Sequence, residues 1–218
     1  MHGETAHSID DLPRVIPVFP LPGALLLPRR RLPLNIFEPR YLAMIDDAMR
    51  HARVVGMVQP SSPDTRCPSL YPVGCLGRLT SWSETGDGRF LITLNGIARF
   101  RIESELQTTT PYRQVEVRYG EFEDDLEEDE SDAGIDRQRL GASLKSYFKQ
   151  RKIDEYWQSI EQVSCEVLVN SLAMICPFEV AEKQALLEAP ALADRAKLLT
   201  TLIEMAAAAN GPHGGTMQ

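Results

Sequence analysis

The sequence predicts an α+β protein, with a β-rich N-terminal part followed by a helical C-terminal part. Before Gly120, proline and glycine interrupt short apolar runs that are rich in β-branched residues. After it, long stretches carry apolar residues at helical spacing and contain few helix-breaking residues. This change of pattern along the chain favours two structural regions of different class.

Short apolar segments separated by turn residues predict the strands of the first part. These segments are Val15–Phe19, Ala24–Leu27, Arg53–Val58, Val73–Trp82, Phe90–Leu94, Ile97–Ile102 and Tyr112–Tyr119. Glu84–Gly88 is typical of a hairpin loop, and Asn95–Gly96 predicts a second hairpin. Many short strands with frequent turns predict a closed or semi-closed barrel.

Helical spacing predicts one helix inserted in the β region and about four helices after it. The inserted helix starts at Pro39, and its apolar stripe is Tyr41, Met44, Ile45, Ala48 and Met49. The later helices are Ile135–Arg151, Glu155–Ile175, Phe178–Glu188 and Ala191–Ala209. Short connections between successive helices predict an antiparallel bundle.

An acidic block from Glu121 to Asp132 separates the two parts. Such a block repels itself and buries little apolar area, which favours a solvated linker, with a cation site or an interaction tail as the alternative. The predicted organisation is a disordered N-terminus over 1–12, a β-rich subdomain over 13–120, an acidic linker over 121–134, a helical bundle over 135–209 and a disordered tail over 210–218.

Composition and charge narrow the classes of partner. The formal net charge is -8, which disfavours nucleic acid as a partner. No apolar run approaches the ~20 residues of a membrane span, and the polar N-terminus has no signal pattern, so we expect a cytoplasmic protein that does not bind membranes. The spacing of Cys67, Cys75, Cys165 and Cys176 fits no common zinc pattern, and we expect neither metal nor cofactor.

The sequence contains no phosphate-binding loop, nucleophile elbow, zinc-protease helix or dinucleotide-binding turn. Ser143 near Lys145 and Ser146 near Lys149 are the serine–lysine pairs that invite an enzymatic interpretation. They lie in a predicted amphipathic helix, where an exposed lysine stays protonated and cannot act as a base. We therefore expect no enzymatic activity.

Several motifs occur in the same order as in one known family. They are Ile16–Gly23, Leu32–Tyr41, Tyr71–Gly77, Leu94–Phe100, Glu182–Glu188 and Ala193–Leu199. The chain resembles the N-terminal substrate-binding domain of the Lon ATP-dependent proteases from Val15 to Met205. The resemblance implies a PUA-like pseudo-barrel followed by a helical bundle.

The resemblance also implies a function, the recognition of polypeptides. Complete Lon proteases add an ATPase module and a serine–lysine protease module, and we expect neither in this sequence. The prediction is a non-catalytic polypeptide-binding module, an adaptor in protein quality control whose partners are unfolded or tagged polypeptides and a protease. An unrecognised hydrolase or peptidase and a structural oligomerisation domain are the alternatives, and the sequence does not set the oligomeric state.

A polypeptide could add to an exposed strand edge or insert side chains into an apolar groove. The candidate apolar contacts are Phe19, Leu21, Leu25, Leu27, Phe37, Tyr41 and Trp82, with core packing as the alternative for each. The triplet Arg29, Arg30 and Arg31 either contacts acidic segments or keeps its loop solvated. The family implies no catalytic or metal-binding residue.

Overall fold

A computed structural model describes residues 8–62, 68–127, 134–151 and 163–209. The chain divides into two compact units, Met1–Glu128 and Asp129–Gln218. The first unit carries the strands, and the second is helical in its described residues. The predicted α+β class, with strands first and helices after, is confirmed.

In the described residues of the first unit, six strands form one sheet. They are β1 (Val15–Pro20), β2 (Arg31–Ile36), β3 (Val54–Val58), β4 (Val73–Glu84), β5 (Phe90–Glu105) and β6 (Gln114–Arg118). Their order is β2-β5-β4-β3-β1-β6, and β6 pairs again with β5. The sheet therefore closes into a five-stranded ring with β2 attached to β5 as an extra strand.

The long strand β5 makes this closure possible because its two halves have different neighbours. Its first half pairs with β2 and β4, where Ile92 lies opposite Leu34 on one side and Trp82 on the other. Its second half pairs with β6, where Ile102 lies opposite Val117. The predicted barrel is thus confirmed. Strand β5 pairs with two strands of the ring, β4 and β6, and also with the extra strand β2.

Phe100 fills the interior of the ring. It is fully buried, and glycines on the neighbouring strands make room for its ring. A Cβ atom at Gly74 would lie 2.5 Å from Phe100 Cζ, and one at Gly56 would lie 2.9 Å from the same atom. Ile16, Val18, Leu76, Ala98, Val115 and Val117 complete this core. Glycine is required at both positions because any larger side chain would displace the aromatic ring.

The inserted helix α1 spans Pro39–Arg50, as the sequence predicts. Proline occupies the first turn, where its missing N–H leaves no hydrogen bond unmade. Tyr41, Met44, Ile45 and Ala48 are buried, so the stripe packs in the core.

The predicted hairpin at Asn95–Gly96 is wrong, because both residues lie inside β5. The Gly96 N–H donates to the Arg30 carbonyl at 2.9 Å, and the Arg29 N–H donates to the Gly96 carbonyl at 2.9 Å. A Cβ at Gly96 would overlap the carbonyl oxygen of Leu27. Glycine is therefore needed for a close backbone approach and not for a turn.

The predicted strand at Ala24–Leu27 is also wrong. These residues form an irregular segment, although Leu25, Leu26 and Leu27 are fully buried. A Cβ at Gly77 would lie 2.8 Å from Leu26 Cδ2. The apolar run reflects core packing against the sheet and not pairing within it.

The acidic stretch differs from the predicted linker over 121–134. Its first part forms two 3-10 turns over Gly120–Leu126, joined at Phe122. Asp125 is buried there and accepts from Arg99 Nε at 2.8 Å and Arg99 Nη2 at 2.9 Å. The Arg99 guanidinium also lies 4.6 Å from the centre of the Phe122 ring. A specific partner for one carboxylate thus orders a segment that composition alone predicts to be solvated. Residues 128–133 lie outside the described residues.

The N-terminal segment differs from the predicted disorder in the same way. Ile9–Asp11 form a 3-10 helix with Ser8 as N-cap, and Leu12 is buried in the barrel core. An apolar contact therefore anchors part of the range 1–12. Residues 1–7 and the predicted tail at 210–218 are outside the described range.

The second unit contains α2 (Arg137–Arg151), α3 (Cys165–Ile175), α4 (Val180–Glu188) and α5 (Leu192–Ala209). The Ser164 hydroxyl caps α3 by accepting from the Val167 N–H at 3.3 Å. The sequence predicts one helix over Glu155–Ile175, and residues 155–162 of that range lie outside the described part. The helix ends at Ile175 as predicted, because Pro177 disfavours helical geometry at Cys176.

Buried polar side chains connect the helices of this unit. Arg195 on α5 donates from Nη1 to Asn170 Oδ1 on α3 at 2.9 Å, and from Nε to the Leu186 carbonyl of α4 at 2.8 Å. Lys183 donates to the Met174 carbonyl at 3.1 Å, and burial lowers the pKa of its ammonium group. These contacts fix the mutual packing of three helices.

Candidate functional site

An apolar cleft opens on the surface of the first unit, with a volume of about 350 Å³. The end of β1 contributes Phe19, the start of α1 contributes Tyr41, and the start of β6 is preceded by Tyr112. The rings of Phe19 and Tyr41 pack with centroids 4.2 Å apart and planes inclined by 43°. Both side chains are 6% exposed, so this pair forms a largely buried apolar floor.

The cleft walls consist largely of proline rings. Five prolines line it, namely Pro20, Pro22, Pro60, Pro68 and Pro111, and Leu21 lies among them. Proline offers apolar surface and no N–H donor, so these walls can contact a ligand without presenting backbone groups that must be satisfied. Such a surface suits an apolar side chain of an extended peptide.

Charged side chains from three positions lie around this floor. Glu38, Arg40 and Arg113 contribute to the lining. Arg40 forms an ion pair with Glu38 at 2.8 Å, and its guanidinium carbon lies 4.5 Å from the centre of the Tyr41 ring. Arg113 pairs with Glu105 at 2.6 Å and donates to the Pro68 carbonyl at 2.7 Å.

The two tyrosines of the cleft stay neutral over the physiological range. Burial raises the pKa of Tyr41. The Tyr112 hydroxyl donates to Asp47 Oδ2 at 2.8 Å. Burial, together with this hydrogen bond and the Asp47 charge, raises the pKa of Tyr112 to about 12. The charge of the cleft therefore comes from its arginines and its carboxylate.

Two further cavities of about 430 Å³ each adjoin the cleft. One shares Tyr112 with it and extends towards Val15 and Pro17. The other shares Pro68 and Arg113 with it. The shared lining residues thus place both cavities beside the cleft.

Exposed apolar side chains also lie on the β4–β5 hairpin and directly after β2. Phe37 is 62% exposed, Leu91 48% and Trp82 43%. The Trp82 ring packs edge-on against Phe90 with centroids 5.4 Å apart, and Arg89 lies 5.9 Å from the centre of the Phe37 ring. We call Phe37, Trp82 and Leu91 the aromatic tip.

The structure separates the predicted contact residues into three groups. Phe19, Leu21 and Tyr41 line the cleft, and Phe37 and Trp82 belong to the aromatic tip. Leu25 and Leu27 have 2% and 0% of their surface exposed. Both side chains pack in the core, which was the alternative interpretation for each, so the prediction that they contact a ligand is corrected.

The arginine triplet does not act as a unit. Arg29 has a left-handed backbone with φ of 60°, and its Nη1 donates to the carbonyl of Asp125. It thus contacts the acidic stretch of its own chain. Arg30 is half-buried, and Arg31 is exposed at the start of β2 opposite Asn95.

Sequence reasoning missed Arg40, Tyr112 and Arg113 as parts of the site. Arg40 falls inside a family motif, but nothing marked it as a lining residue. Tyr112 and Arg113 are far from Phe19 along the chain, and only the pairing of β1 with β6 brings these segments together. No local pattern carries that information.

The serine suggested by the Ser–Lys pattern serves a structural purpose. The single O–H of Ser143 is shared between the Arg139 carbonyl, 2.9 Å from Oγ, and Glu204 Oε1, 3.0 Å from Oγ. In the described residues, no group of three or more histidine, cysteine, aspartate or glutamate side chains is placed to hold a metal ion. No helix within the described ranges has the length and apolar character needed to cross a membrane.

Comparisons with known proteins converge on one family. The chain is 28% identical to Lon protease 2 of Myxococcus xanthus over 206 residues, which is 89% of this chain and 24% of that protein. It is 30% identical to Lon protease 2 of Sorangium cellulosum over 106 residues, which is 47% of this chain and 13% of that protein. The chain thus spans about a quarter or less of these relatives.

Two solved structures have the same fold. The Lon N-terminal domain protein from Xanthomonas campestris matches with a TM-score of 0.59 and 22% identity, over 86% of this chain and 97% of that chain. The N-terminal domain of the Mycobacterium avium complex Lon protease matches with a TM-score of 0.65 and 16% identity, over 87% and 97%.

The model of the ATP-dependent protease La (LON) substrate-binding domain matches residues 15–205. This range includes β1, which carries the cleft floor, and most of α5, so the match covers both units. The chain therefore belongs to the Lon substrate-binding domain family.

Proposed function

We propose that this protein binds polypeptides without catalysing a reaction and acts as an adaptor in protein quality control. The cleft floored by Phe19 and Tyr41 is the observation that carries the proposal. Its occupant is one apolar side chain of an unfolded or tagged polypeptide, and the adjoining cavities receive the neighbouring residues. The family's name, substrate-binding domain, supports the same class of ligand.

The aromatic tip extends the contact surface. Phe37 is the residue directly before Glu38, which lines the cleft, so their Cα atoms lie ~3.8 Å apart. A chain that leaves the cleft past Glu38 meets an exposed aromatic ring. Exposed aromatic side chains bury large apolar areas at little cost in conformational entropy, which makes them effective contacts for chains of varied sequence.

The test measures the affinity of a fluorescently labelled unfolded polypeptide, such as reduced and alkylated casein, by anisotropy. Leu21→Glu introduces a charge into the half-buried wall of the cleft, and we expect at least a ten-fold loss of affinity. Ile175→Glu is the matched control, because Ile175 is exposed at the end of α3 and lines neither the cleft nor the adjoining cavities. Equal affinities of Leu21→Glu and the unchanged protein would refute the cleft as the binding site.

The same variants separate the contribution of the aromatic tip. Trp82→Ser removes an exposed ring, and we expect a loss of about three- to ten-fold in affinity, smaller than that of Leu21→Glu. A larger loss from Trp82→Ser than from Leu21→Glu would make the aromatic tip the main site.

Two alternatives are tested on the same preparation. A hydrolase would degrade casein, with or without ATP, and would lose that activity in Ser143→Ala or Ser146→Ala. We expect no degradation. A structural oligomerisation domain would form an obligate higher oligomer in light scattering and bind no polypeptide.

A further inference from the structure

The cleft combines an apolar floor with a cation placed directly against it. Arg40 lies 4.5 Å from the centre of the Tyr41 ring, which itself packs on Phe19 at 4.2 Å. A ligand that contacts both Arg40 and the apolar floor must carry a negative group and an apolar group no further apart than the two ends of one amino-acid residue. Such a ligand can be identified by its chemistry.

The two arginines of the cleft differ in how fully a carboxylate of the protein neutralises them. Of its lining residues that the structure describes, two are arginines, Arg40 and Arg113, and one is an acid, Glu38. Glu105, which pairs with Arg113, lines the adjoining cavity and not the cleft. Both oxygens of Glu105 bind Arg113, at 2.6 Å each, whereas Arg40 contacts a single oxygen of Glu38, so Arg40 is the guanidinium that remains open to a ligand anion.

Arg40 retains donors for a ligand. Its Nε and Nη2 atoms contact Glu38 Oε2 at 3.0 Å and 2.8 Å. In the part of the chain that the structure describes, its Nη1 atom has no hydrogen-bond acceptor. The side chains of Arg40 and Glu38 are 42% and 43% exposed, so their ion pair is weak and a second carboxylate can share the guanidinium.

The distance between cation and floor selects the source of the carboxylate. In an extended chain the internal side chains that share one side are two residues, or about 6.4–6.8 Å, apart, whereas the Arg40 guanidinium lies only 4.5 Å from the centre of the Tyr41 ring. Only the C-terminal residue of a polypeptide carries a carboxylate and an apolar side chain on the same Cα atom. We infer that the cleft recognises polypeptides by a free C-terminal carboxylate on an apolar last residue, with Arg40 binding the carboxylate and the Phe19–Tyr41 floor the side chain.

This inference rests on the proposed function and narrows its ligand. The test uses the full chain and three fluorescently labelled ten-residue peptides of otherwise identical sequence. The first ends in leucine with a free carboxylate, and the second ends in leucine amide. The third also ends in leucine amide and has glutamate two residues before that leucine, so that a side-chain carboxylate on the same side replaces the terminal one.

We expect the free acid to bind at least about ten-fold more tightly than either amide. In Arg40→Gln we expect the preference for the free acid over the amides to disappear, and a retained preference would overturn the role of Arg40. Arg50→Gln is the control on the same helix, because Arg50 pairs with Asp47 and does not line the cleft. Unfolding midpoints of both variants report whether the fold is intact.

The outcomes separate the inference from the function it rests on. If acid and amide bind equally well, the terminal carboxylate is not recognised, while polypeptide binding stands. If the glutamate amide binds as tightly as the acid, an internal carboxylate is the ligand and the inference is overturned. If none of the three peptides binds, both the inference and the proposed function fail.

Discussion

Replacing Asp125 by alanine is expected to destabilise the first unit by about 3–5 kcal/mol, because it leaves the Arg99 guanidinium buried without its counter-ion. The two side chains are 6% and 9% exposed. Asp125 accepts from the Arg99 backbone N–H at 2.8 Å and from two atoms of its guanidinium, Nε at 2.8 Å and Nη2 at 2.9 Å. Alanine removes all three hydrogen bonds, and the site is too buried for water to replace them freely.

The assay is urea unfolding followed by circular dichroism, with the free energy of unfolding compared between the variant and the unchanged protein. Glu121→Ala is the matched control in the same 3-10 segment. Glu121 also forms a close ion pair with an arginine, Arg101, at 2.7 Å, but the two side chains are 40% and 33% exposed. We expect Glu121→Ala to leave the midpoint nearly unchanged.

A second variant distinguishes a buried charge from a lost contact. The double replacement Arg99→Met with Asp125→Leu removes both charges together, and we expect it to be more stable than Asp125→Ala alone. If Asp125→Ala costs no more than Glu121→Ala, burial does not govern this ion pair and the reasoning fails.

Three other predictions follow from contacts described above. Gly96→Ala should destabilise the protein by about 1–3 kcal/mol, because its Cβ would overlap backbone, whereas Gly86→Ala, with no atom within 4 Å of the added Cβ, should stay within about 0.5 kcal/mol in urea unfolding. Arg195→Leu should lower the free energy of unfolding by about 2 kcal/mol or more, because two buried acceptors lose their donor. Thr201→Val in the same helix should have a small effect, and equal losses in the two variants would contradict this reasoning. The pKa of Tyr112 is raised to about 12, so its contribution to stability is present below about pH 10 and lost as the pH rises towards 12. Tyr112→Phe should flatten this alkaline loss in pH-dependent unfolding, and an unchanged slope would contradict the assignment.

The sequence predicted the elements whose pattern is local. In β6, Val115 and Val117 alternate with exposed residues, and both are buried as the alternation implies. The stripe of α1 and the end of α3 before Pro177 were predicted for similar reasons, since each depends on residues a few positions apart.

The failures occurred where a distant segment determines the structure. Asn95–Gly96 is a hairpin signal in isolation, but the backbone of the segment from Leu27 to Arg30 packs against it and keeps β5 continuous. Asp125 looked like one carboxylate among many until Arg99 was placed beside it. Neither partner can be deduced from local composition.

The candidate site was predictable only in part, for the same reason. Phe19, Leu21 and Tyr41 belong to recognisable motifs near the N-terminus. Leu25 and Leu27 have the same chemical character as these residues, and only their packing distinguishes core from surface. Arg113 enters the site through the β1–β6 pairing, which is a property of the closed sheet.

The pairing of β1 with β6 also sets the order of events during synthesis. Val15 has its partner in Glu116, a residue the ribosome adds roughly 100 positions later, which at 5–20 residues per second is a delay of roughly 5–20 s. Until then one side of the first strand has no permanent neighbour, and the nascent chain carries an unpaired edge that other polypeptides can join. If translation slows before residue 118, this nascent chain should therefore need chaperones for longer. The folded protein itself is proposed to hold unfolded chains.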